Sequence, residues 1–247
     1  MTTALVTGAN KGIGYETARL LGDRGMTVLV GARSAALGEA ATERLRAGGA
    51  DAVFLALDVT DEESIARAAA WIADEYGALD ILVNNAGIAR GEFTASTSTV
   101  ASMREVFEAN VFGVVALTNA LLPLLRKAPA ARIVNVSSEV GSIATTLRPD
   151  GPLWKMTGVA YPASKAALNM VTAQYAKELW DTPIKVNAAN PGYCATDLNG
   201  HRGFRDPVLG AEVSVHLATL PDDGPTGILW GDQTFSHGAS ADGVLPW

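Results

Sequence analysis

The sequence predicts an α/β fold in which a doubly wound, seven-stranded parallel sheet carries helices on both faces. Three observations support this. Seven short apolar runs alternate with helical patterns, and a glycine-rich turn directly follows the first run. The 247 residues, 48% of them hydrophobic, suffice for one large core, and α/β domains of this length are commonly single units. We therefore expect residues 1–247 to form one domain.

The predicted strands are short runs rich in β-branched and other apolar residues, separated by helical segments, as in consecutive βαβ units. They span residues 4–6, 27–30, 53–57, 81–83, 132–136, 184–188 and 227–230. In a doubly wound sheet, ligands bind beyond the carboxyl ends of the strands. Motifs that follow these runs are therefore expected to meet in space.

Two helices have clear boundaries in the sequence. Between the third and fourth strands, Thr60 and Glu63 fit a capping box, an apolar face follows, and Gly77 ends the pattern. Further on, Asp206 followed by Pro207 predicts a cap and a first turn. The apolar run 111–125 is shorter than the ~20 residues of a membrane span and indicates a buried helix.

Composition excludes several classes of function. A net charge of −7 argues against nucleic acid and against an anionic membrane surface as partners. A single cysteine, Cys194, fits a reducing compartment, and no targeting segment is visible, so we expect a cytoplasmic protein. His201, His216 and His237 have no second ligand at metal spacing, so we expect no metal site.

The glycine-rich turn between the first strand and the first helix predicts a dinucleotide site. Such a turn brings the backbone close to a pyrophosphate and places phosphate oxygens at a helix N-terminus. The spacing differs from G-x-G-x-x-G, and an ordinary loop is the alternative interpretation. The residues concerned are Gly8, Asn10, Lys11, Gly12, Ile13 and Gly14.

The end of the second strand favours NADPH over NADH as the cofactor. NAD sites usually place a carboxylate there for the ribose 2′-hydroxyl, whereas this chain has Gly31, Ala32 and Arg33. Arg33 could hold a 2′-phosphate in a bidentate manner, with Lys11 and Asn10 nearby. The alternative is that the two cations are ordinary solvated side chains.

Tyr161 and Lys165 are spaced to share one face of a helix. A fixed cation favours the phenolate, so we expect Lys165 to lower the pKa of Tyr161 and make its hydroxyl a better proton donor. Taken alone, the pair is better explained as an ordinary amphipathic helix surface, because this spacing occurs often by chance. The other motifs, in register along the chain, favour a catalytic role.

With the glycine turn, the segment 84–87, the segment 134–138 and the Tyr161–Lys165 pair in this order, the chain resembles the short-chain dehydrogenase/reductase family. It is similar to the carbonyl reductase branch, which implies a Rossmann fold. The resemblance implies a catalytic set of Asn110, Ser138, Tyr161 and Lys165. It further implies cofactor contacts from Asp58, Val59, Asn84, Ala86, Gly87, Tyr161, Lys165, Pro191, Gly192 and Thr196.

In this family the serine and tyrosine polarise a carbonyl, the lysine also holds the nicotinamide ribose, and the helix asparagine holds a water that links the lysine to solvent. Ser137 is the alternative to Ser138, and a self-satisfied helix amide is the alternative for Asn110. For Asn84 and Asn85, simple turn chemistry is equally compatible.

The spacer between Ser138 and Tyr161 is longer than in most relatives and suggests an insert at 145–158. Such an insert could wall the substrate site and cover the helix face through which relatives associate, which favours a monomer. Glu139, Trp154, Tyr193 and Cys194 are pocket candidates, with Phe204 and Trp230 as further aromatic candidates. Plain core packing is the alternative for the aromatic residues.

The sequence as a whole predicts NADPH-dependent reduction of ketones or aldehydes, with apolar or aromatic carbonyl compounds as substrates. A non-catalytic NADP(H)-sensing protein is the alternative from another class, and oxidation of alcohols is the alternative direction. An epimerase or dehydratase of the extended relatives would require a larger C-terminal region than 247 residues leave.

Overall fold

The computed structural model describes residues 2–231 and 242–247. Its sheet has the strand order β3-β2-β1-β4-β5-β6-β7-β8, and β1 to β7 are parallel. The first seven strands are β1 Thr3–Thr7, β2 Thr27–Ala32, β3 Ala52–Ala56, β4 Ile81–Asn84, β5 Arg132–Val136, β6 Lys185–Asn190 and β7 Leu229–Gly231. Every predicted strand overlaps an observed one, so the predicted α/β class with seven parallel strands is confirmed.

An eighth strand was missing from the prediction. β8, Val244–Leu245, pairs antiparallel with β7 at the edge of the sheet. Leu245 is buried with Ala188 and Leu229 in a small cluster. Two residues are too few to show an alternating pattern, so the sequence gives no signal for this strand. The prediction made for His237 falls outside the described residues.

Helices cover both faces of the sheet because successive strand side chains point to opposite sides. Ala4 and Val6 pack in one cluster with residues of α1, α2 and α8, whereas Leu5 packs in the other with residues of α3, α5 and α7. The helices are α1 Gly12–Gly22, α2 Ala35–Ala47, α3 Glu62–Tyr76, α4 Val100–Phe107, α5 Gly113–Leu125, α6 Ile143–Thr146, α7 Ala160–Glu178 and α8 Pro207–Ala218.

α4 and α5 form one continuous helix, Val100–Leu125, joined by a π-helical turn at Glu108–Phe112. It is long and apolar enough to cross a membrane, unlike the shorter run that the sequence indicated. More than half of its most apolar window is nevertheless buried within the protein, and Leu117 and Leu121 are fully buried. The prediction of a buried core helix is therefore confirmed over its second half.

The predicted start of α3 was wrong by one residue. Asp61, not Thr60, caps the helix, because its Oδ1 accepts the backbone N–H of Glu63 at 3.0 Å. Thr60 is occupied elsewhere, since its N–H and hydroxyl both donate to Asp58 Oδ1 at 3.0 and 2.7 Å. Gly77 ends the helix with a φ of 71°, as predicted.

The cap of the last helix agrees with the sequence. Asp206 Oδ1 accepts the backbone N–H of Val208 at 2.8 Å, and Pro207 occupies the first turn of α8. A side-chain acceptor satisfies one of the amides that every helix leaves unpaired at its N-terminus.

The corrected cap of α3 predicts a difference between two alanine substitutions. Asp61→Ala should lower the free energy of unfolding by about 1 kcal/mol, because a first-turn amide loses its acceptor. For a chain of this size we expect the melting temperature to fall by roughly 2–4 °C. Thr60→Ala is the matched control and should cost less; a larger loss for Thr60→Ala would contradict the assignment. Calorimetry or thermal denaturation followed by circular dichroism measures both.

Candidate active site

The glycine-rich turn lies at the point where the strand order reverses, between β1 and β4, which is where doubly wound sheets bind ligands. Gly8 and Gly12 have φ values of 64° and 57°, a region that favours glycine. A Cβ on Gly8 would lie 3.0 Å from the Ala86 Cα, and one on Gly14 would meet the Gly8 carbonyl oxygen at 2.6 Å. The glycines therefore allow the turn to fold tightly against the segment that follows β4.

The segment after β4 holds the turn in place through hydrogen bonds to Thr7. The Thr7 Oγ1 accepts the backbone N–H groups of Asn85 and Ala86, each at 2.9 Å, and the Asn85 amide donates to the Thr7 carbonyl at 2.8 Å. Asn84 points into the core, where its amide donates to Asn135 Oδ1 at 2.8 Å. This arrangement leaves the Asn84 backbone, and not its side chain, for the predicted cofactor contact.

The N-terminus of α1 has no side-chain cap, in contrast to α2, α3, α4 and α8. Its N-cap residue, Lys11, is extended and makes no side-chain hydrogen bond to the first turn. Helix N-termini attract anions, because unpaired amides and the helix dipole face them. A tight glycine cradle ending in an uncapped helix is a site that fits a pyrophosphate, with Asn10 and Ile13 on either side of Lys11 and Gly12.

Arg33 stands at the carboxyl end of β2 with its side chain 80% exposed. Its Nε lies 3.9 Å from Asp58 Oδ2, a loose contact that leaves the guanidinium accessible. Lys11 contacts the segment after β6, where its Nζ lies 2.5 Å from Asp197 Oδ2; its predicted contact with a 2′-phosphate stays a prediction. The backbone of Val59, next to Asp58, lies against Gly113 at the start of α5.

Tyr161 and Lys165 lie in the first turns of α7, and the Lys165 Nζ is 5.5 Å from the centroid of the Tyr161 ring. Lys165 is buried, and its ammonium donates to the Val136 carbonyl at the end of β5 at 2.7 Å. Among residues 2–231 and 242–247, no carboxylate forms an ion pair with it. A buried lysine without a carboxylate partner is costly and indicates a functional role.

Burial sets the proton affinities of both groups. It raises the pKa of Tyr161 to about 12 and lowers the pKa of Lys165 to about 8. The prediction that Lys165 acidifies the phenol is therefore wrong for this arrangement. The ammonium faces the Val136 carbonyl and the ring, and burial alone accounts for the raised pKa of the Tyr161 hydroxyl. At neutral pH, Tyr161 is consequently a fully protonated hydrogen-bond donor.

Asn110 lies within the π-helical turn and is 1% exposed. Its amide bonds both backbone groups of Ile88, accepting the N–H at 2.8 Å and donating to the carbonyl at 2.9 Å. It also donates to Ser164 Oγ at 3.1 Å, and that hydroxyl donates to the Tyr161 carbonyl at 2.7 Å. Asn110 thus links the loop after β4 to the turn that carries Tyr161, and the water that the family resemblance implies stays a prediction.

The two serines after β5 have different surroundings. Ser137 is buried, and its hydroxyl donates to Asn169 Oδ1 at 2.5 Å. Ser138 is half-buried, and its Oγ accepts the Val140 N–H at 3.3 Å, which leaves its proton available to another acceptor. This difference favours Ser138 as the residue that faces a substrate. Glu139 follows directly and is buried.

The segment after β6 reaches the glycine turn. Pro191 is buried and Gly192 has a φ of 77°. A Cβ on Gly12 would lie 3.4 Å from Thr196 Cγ2, so Thr196 is in contact distance of the turn.

The predicted pocket residues are distributed over several segments. Tyr193 and Phe204 form an aromatic pair with centroids 6.0 Å apart, and Cys194 between them is buried. Trp154 is exposed within the insert. Trp230 lies elsewhere, stacked on His216 at 4.1 Å.

The insert packs on the loop after β4. The Thr157 hydroxyl donates to the Phe93 carbonyl at 3.3 Å, and a Cβ on Gly158 would lie 2.8 Å from the Glu92 carbonyl oxygen.

Met170, on the exposed face of α7 beside α5, is 61% exposed. The monomeric state stays a prediction. Within the described ranges there is no group of three or more potential metal ligands.

Several residues that contact the predicted site residues were not among the site residues selected from the sequence. Asn85 orders the glycine turn, Ser164 joins Asn110 to Tyr161, and Asp197 pairs with Lys11. Ser142 donates to the Trp247 carbonyl at 3.3 Å, so the end of the chain lies beside the loop that carries Ser138. Asn85, Ser164 and Asp197 lie within or beside the predicted motifs, but their contacts join segments far apart in sequence and could not be predicted.

Comparison with known proteins agrees with this geometry. Residues 2–204 match the family model described as short chain dehydrogenase. The chain is 39% identical over 223 residues to a short-chain dehydrogenase of Penicillium roqueforti, covering 87% of each chain. It is 36% identical over 263 residues to the bovine protein named carbonyl reductase [NADPH] 1, covering 91% of this chain and 94% of the relative.

A solved structure of NADPH-bound carbonyl reductase from chicken fatty liver superposes with a TM-score of 0.83 at 29% identity, covering 100% of this chain and 98% of that one. The family match, the reversal of strand order at the glycine turn and the pairing of Tyr161 with a buried Lys165 lead to one conclusion. This chain belongs to the short-chain dehydrogenase/reductase family and is an oxidoreductase with a Rossmann-type fold.

Proposed function

We propose that this protein reduces ketone or aldehyde carbonyls to alcohols with NADPH and that Tyr161 is the proton donor. The observation that carries the proposal is the buried Lys165, whose ammonium lies over the Tyr161 ring and bonds the last carbonyl of β5, two residues before Ser138. This contact brings the three side chains to one edge of the sheet. A protein that only senses the nucleotide would not need such a costly buried cation.

The choice of NADPH is supported by the end of β2. Arg33 offers an exposed guanidinium there, and the two preceding positions hold Gly31 and Ala32, neither of which has a carboxylate. A guanidinium binds a 2′-phosphate in a bidentate manner, whereas a ribose 2′-hydroxyl is usually held by a carboxylate. The bovine relative is named for NADPH, and the chicken neighbour is NADPH-bound. When bound, NADPH supplies the hydride.

The residues of this chain supply the remaining steps. Negative charge develops on the carbonyl oxygen during reduction, so donors must be in place before the reaction. The hydroxyls of Ser138 and Tyr161 are the donors, and the phenol then gives its proton to the oxygen. Lys165 balances the charge left on Tyr161 and holds the nicotinamide ribose. Asn110 positions α7 through Ser164.

Apolar substrates are supported by the side chains around this edge of the sheet. Large apolar residues stand exposed on the segments that follow β4, β5 and β6; they are Phe93, Ile143, Leu147, Trp154, Met156, Tyr193 and Phe204. Exposed apolar groups concentrated at one place are typical of a binding surface. We infer that the substrates are neutral carbonyl compounds with bulky apolar or aromatic groups.

Replacing the phenol tests this proposal. We expect Tyr161→Phe to lower kcat by about 10²–10⁴-fold, because the general acid is lost, while the Kd for NADPH stays within about twofold of the wild-type value. NADPH oxidation with a panel of apolar ketones gives kcat, and fluorescence titration gives Kd.

Tyr175→Phe is the matched control, since Tyr175 lies on the same helix and its hydroxyl bonds Asn119 on the surface. Wild-type rates in Tyr161→Phe would refute the proposed proton donor. No NADPH oxidation by the wild type with any ketone would favour the sensing protein.

The pKa of Lys165 predicts a pH profile. The ammonium is charged below about pH 8 and loses its proton above it, whereas Tyr161 keeps its proton up to about pH 12. The kcat/KM for NADPH in the reductive direction should therefore be level below pH 8 and fall above it. Lys165→Arg, whose guanidinium does not titrate in this range, should lose the inflection from its residual activity. A wild-type profile that stays level to pH 9.5 would contradict this assignment.

The same burial predicts that Lys165 costs stability. Its pKa falls from 10.5 to about 8 on folding, so the charged form is disfavoured by roughly 3 kcal/mol below pH 8, and this cost disappears above about pH 10.5. Lys165→Met removes the cost but leaves the Val136 carbonyl without its donor, so we expect a net gain of on the order of 1–2 kcal/mol at pH 7.

The gain should shrink as the pH rises from 8 to 10. Urea denaturation at several pH values measures it, with Lys177→Met on the same helix as the control. A Lys165→Met protein less stable than wild type at pH 7 would contradict the claim.

A further inference from the structure

An ion pair joins the glycine-rich turn to the segment after β6. The Lys11 Nζ lies 2.5 Å from Asp197 Oδ2, across 186 positions of sequence. Both side chains are more than half exposed. Since Lys11 is the residue directly before α1, the pair lies at the mouth of the proposed cofactor site.

The Asp197 carboxylate is held in position by its own segment. Its Oδ1 contacts His201 Nε2 at 2.7 Å. A turn through Gly200 and His201, with φ values of 62° and 59°, brings the His201 side chain back to Asp197. Among the described residues, His201 is the non-glycine residue with a positive φ. Such a conformation is uncommon for a residue with a side chain, although histidine adopts it more often than most residues do.

Further hydrogen bonds brace the same turn. The Asn199 amide donates to the Cys194 carbonyl at 2.8 Å, and the Asn199 and Thr196 side chains form a capping box across Asp197–Asn199. The pKa of Asp197 lies below its usual range, because Lys11 and then His201 stabilise the carboxylate. The carboxylate is thus a fixed negative charge beside the glycine turn.

The alternative partner of Lys11 is a phosphate of the cofactor. Thr196, the neighbour of Asp197, lies at contact distance from the position a Cβ on Gly12 would take, so the carboxylate and the turn face each other closely. Lys11 carries one charge. Its ammonium has three N–H donors, but Asp197 already neutralises much of the charge that a 2′-phosphate binding between Lys11 and Arg33 would use.

We propose that Asp197 is a specificity-determining residue that competes with the cofactor 2′-phosphate for Lys11 and so weakens the binding of NADP(H). This inference rests on the proposed NADPH function and adds a competitor within the chain itself. Asp197 makes NADP(H) easier to release without contacting the reacting atoms. NADH, which has no 2′-phosphate, is not subject to this competition.

Equilibrium binding to the purified protein tests the inference without turnover. An exposed ion pair contributes little, so we expect Asp197→Asn to lower the Kd for NADPH by about two- to fivefold. The Kd for NADH should change by less than about 1.5-fold. The fragment 2′,5′-ADP should follow NADPH, which places the effect on the 2′-phosphate. Isothermal calorimetry measures all three ligands.

Two variants serve as controls. Asp223→Asn makes the same change of charge near Asp222, which pairs with Arg132 at the opposite end of the sheet, and should leave every Kd unchanged. In a Lys11→Met background, Asp197→Asn should no longer affect the Kd for NADPH, because the ammonium for which Asp197 and the 2′-phosphate compete is absent. Melting temperatures within a few degrees of wild type show that the variants are folded.

The outcomes separate this inference from the proposed function. An unchanged Kd for NADPH in Asp197→Asn, or equal tightening for NADH, would overturn the inference and leave the proposed reductase intact. An unaltered effect of Asp197→Asn in the Lys11→Met background would overturn it as well. A wild-type protein that binds neither NADPH nor 2′,5′-ADP would refute the proposed function itself.

Discussion

The hydrogen bond from the Lys165 ammonium to the Val136 carbonyl is the contact on which the proposed chemistry depends. It fixes the first turns of α7 against the end of β5, and so sets Tyr161 beside the loop that begins at Ser138. The ammonium has lost most of its hydration, and this cost is tolerated only because the surrounding packing holds it. A loosely held lysine would move to solvent and leave the phenol without its neighbour.

A second constraint shapes the glycine-rich turn, where we propose that the cofactor binds. The turn after β1 folds closely on the segment after β4, and Asn85 together with the Thr7 hydroxyl fixes that approach. The α1 N-terminus is then free of side-chain caps and faces the carboxyl edge of the sheet. The Asn110 amide joins the loop after β4 to the first turns of α7 through Ile88 and Ser164.

The fold could be predicted almost completely from the sequence, because its first seven strands are mostly apolar runs and several of its turns carry glycine. The site could be predicted less well. Asp61 and Thr60 both fit a cap, and only the competing Asp58 carboxylate decided between them. The pKa of Tyr161 moved opposite to the prediction, since spacing shows that two groups are close and does not show how deeply they are buried. The Lys11–Asp197 pair was inaccessible to any local pattern.

The central claim is that a protonated Tyr161 delivers its proton to the carbonyl oxygen as the alcohol forms. Single-turnover reduction by enzyme preloaded with NADPH, followed in H₂O and in D₂O for wild type and Tyr161→Phe, tests it most directly. The account predicts that D₂O slows the wild type and that the residual rate of the variant is insensitive to the solvent isotope. The same isotope effect in both proteins, or none in the wild type, would contradict it.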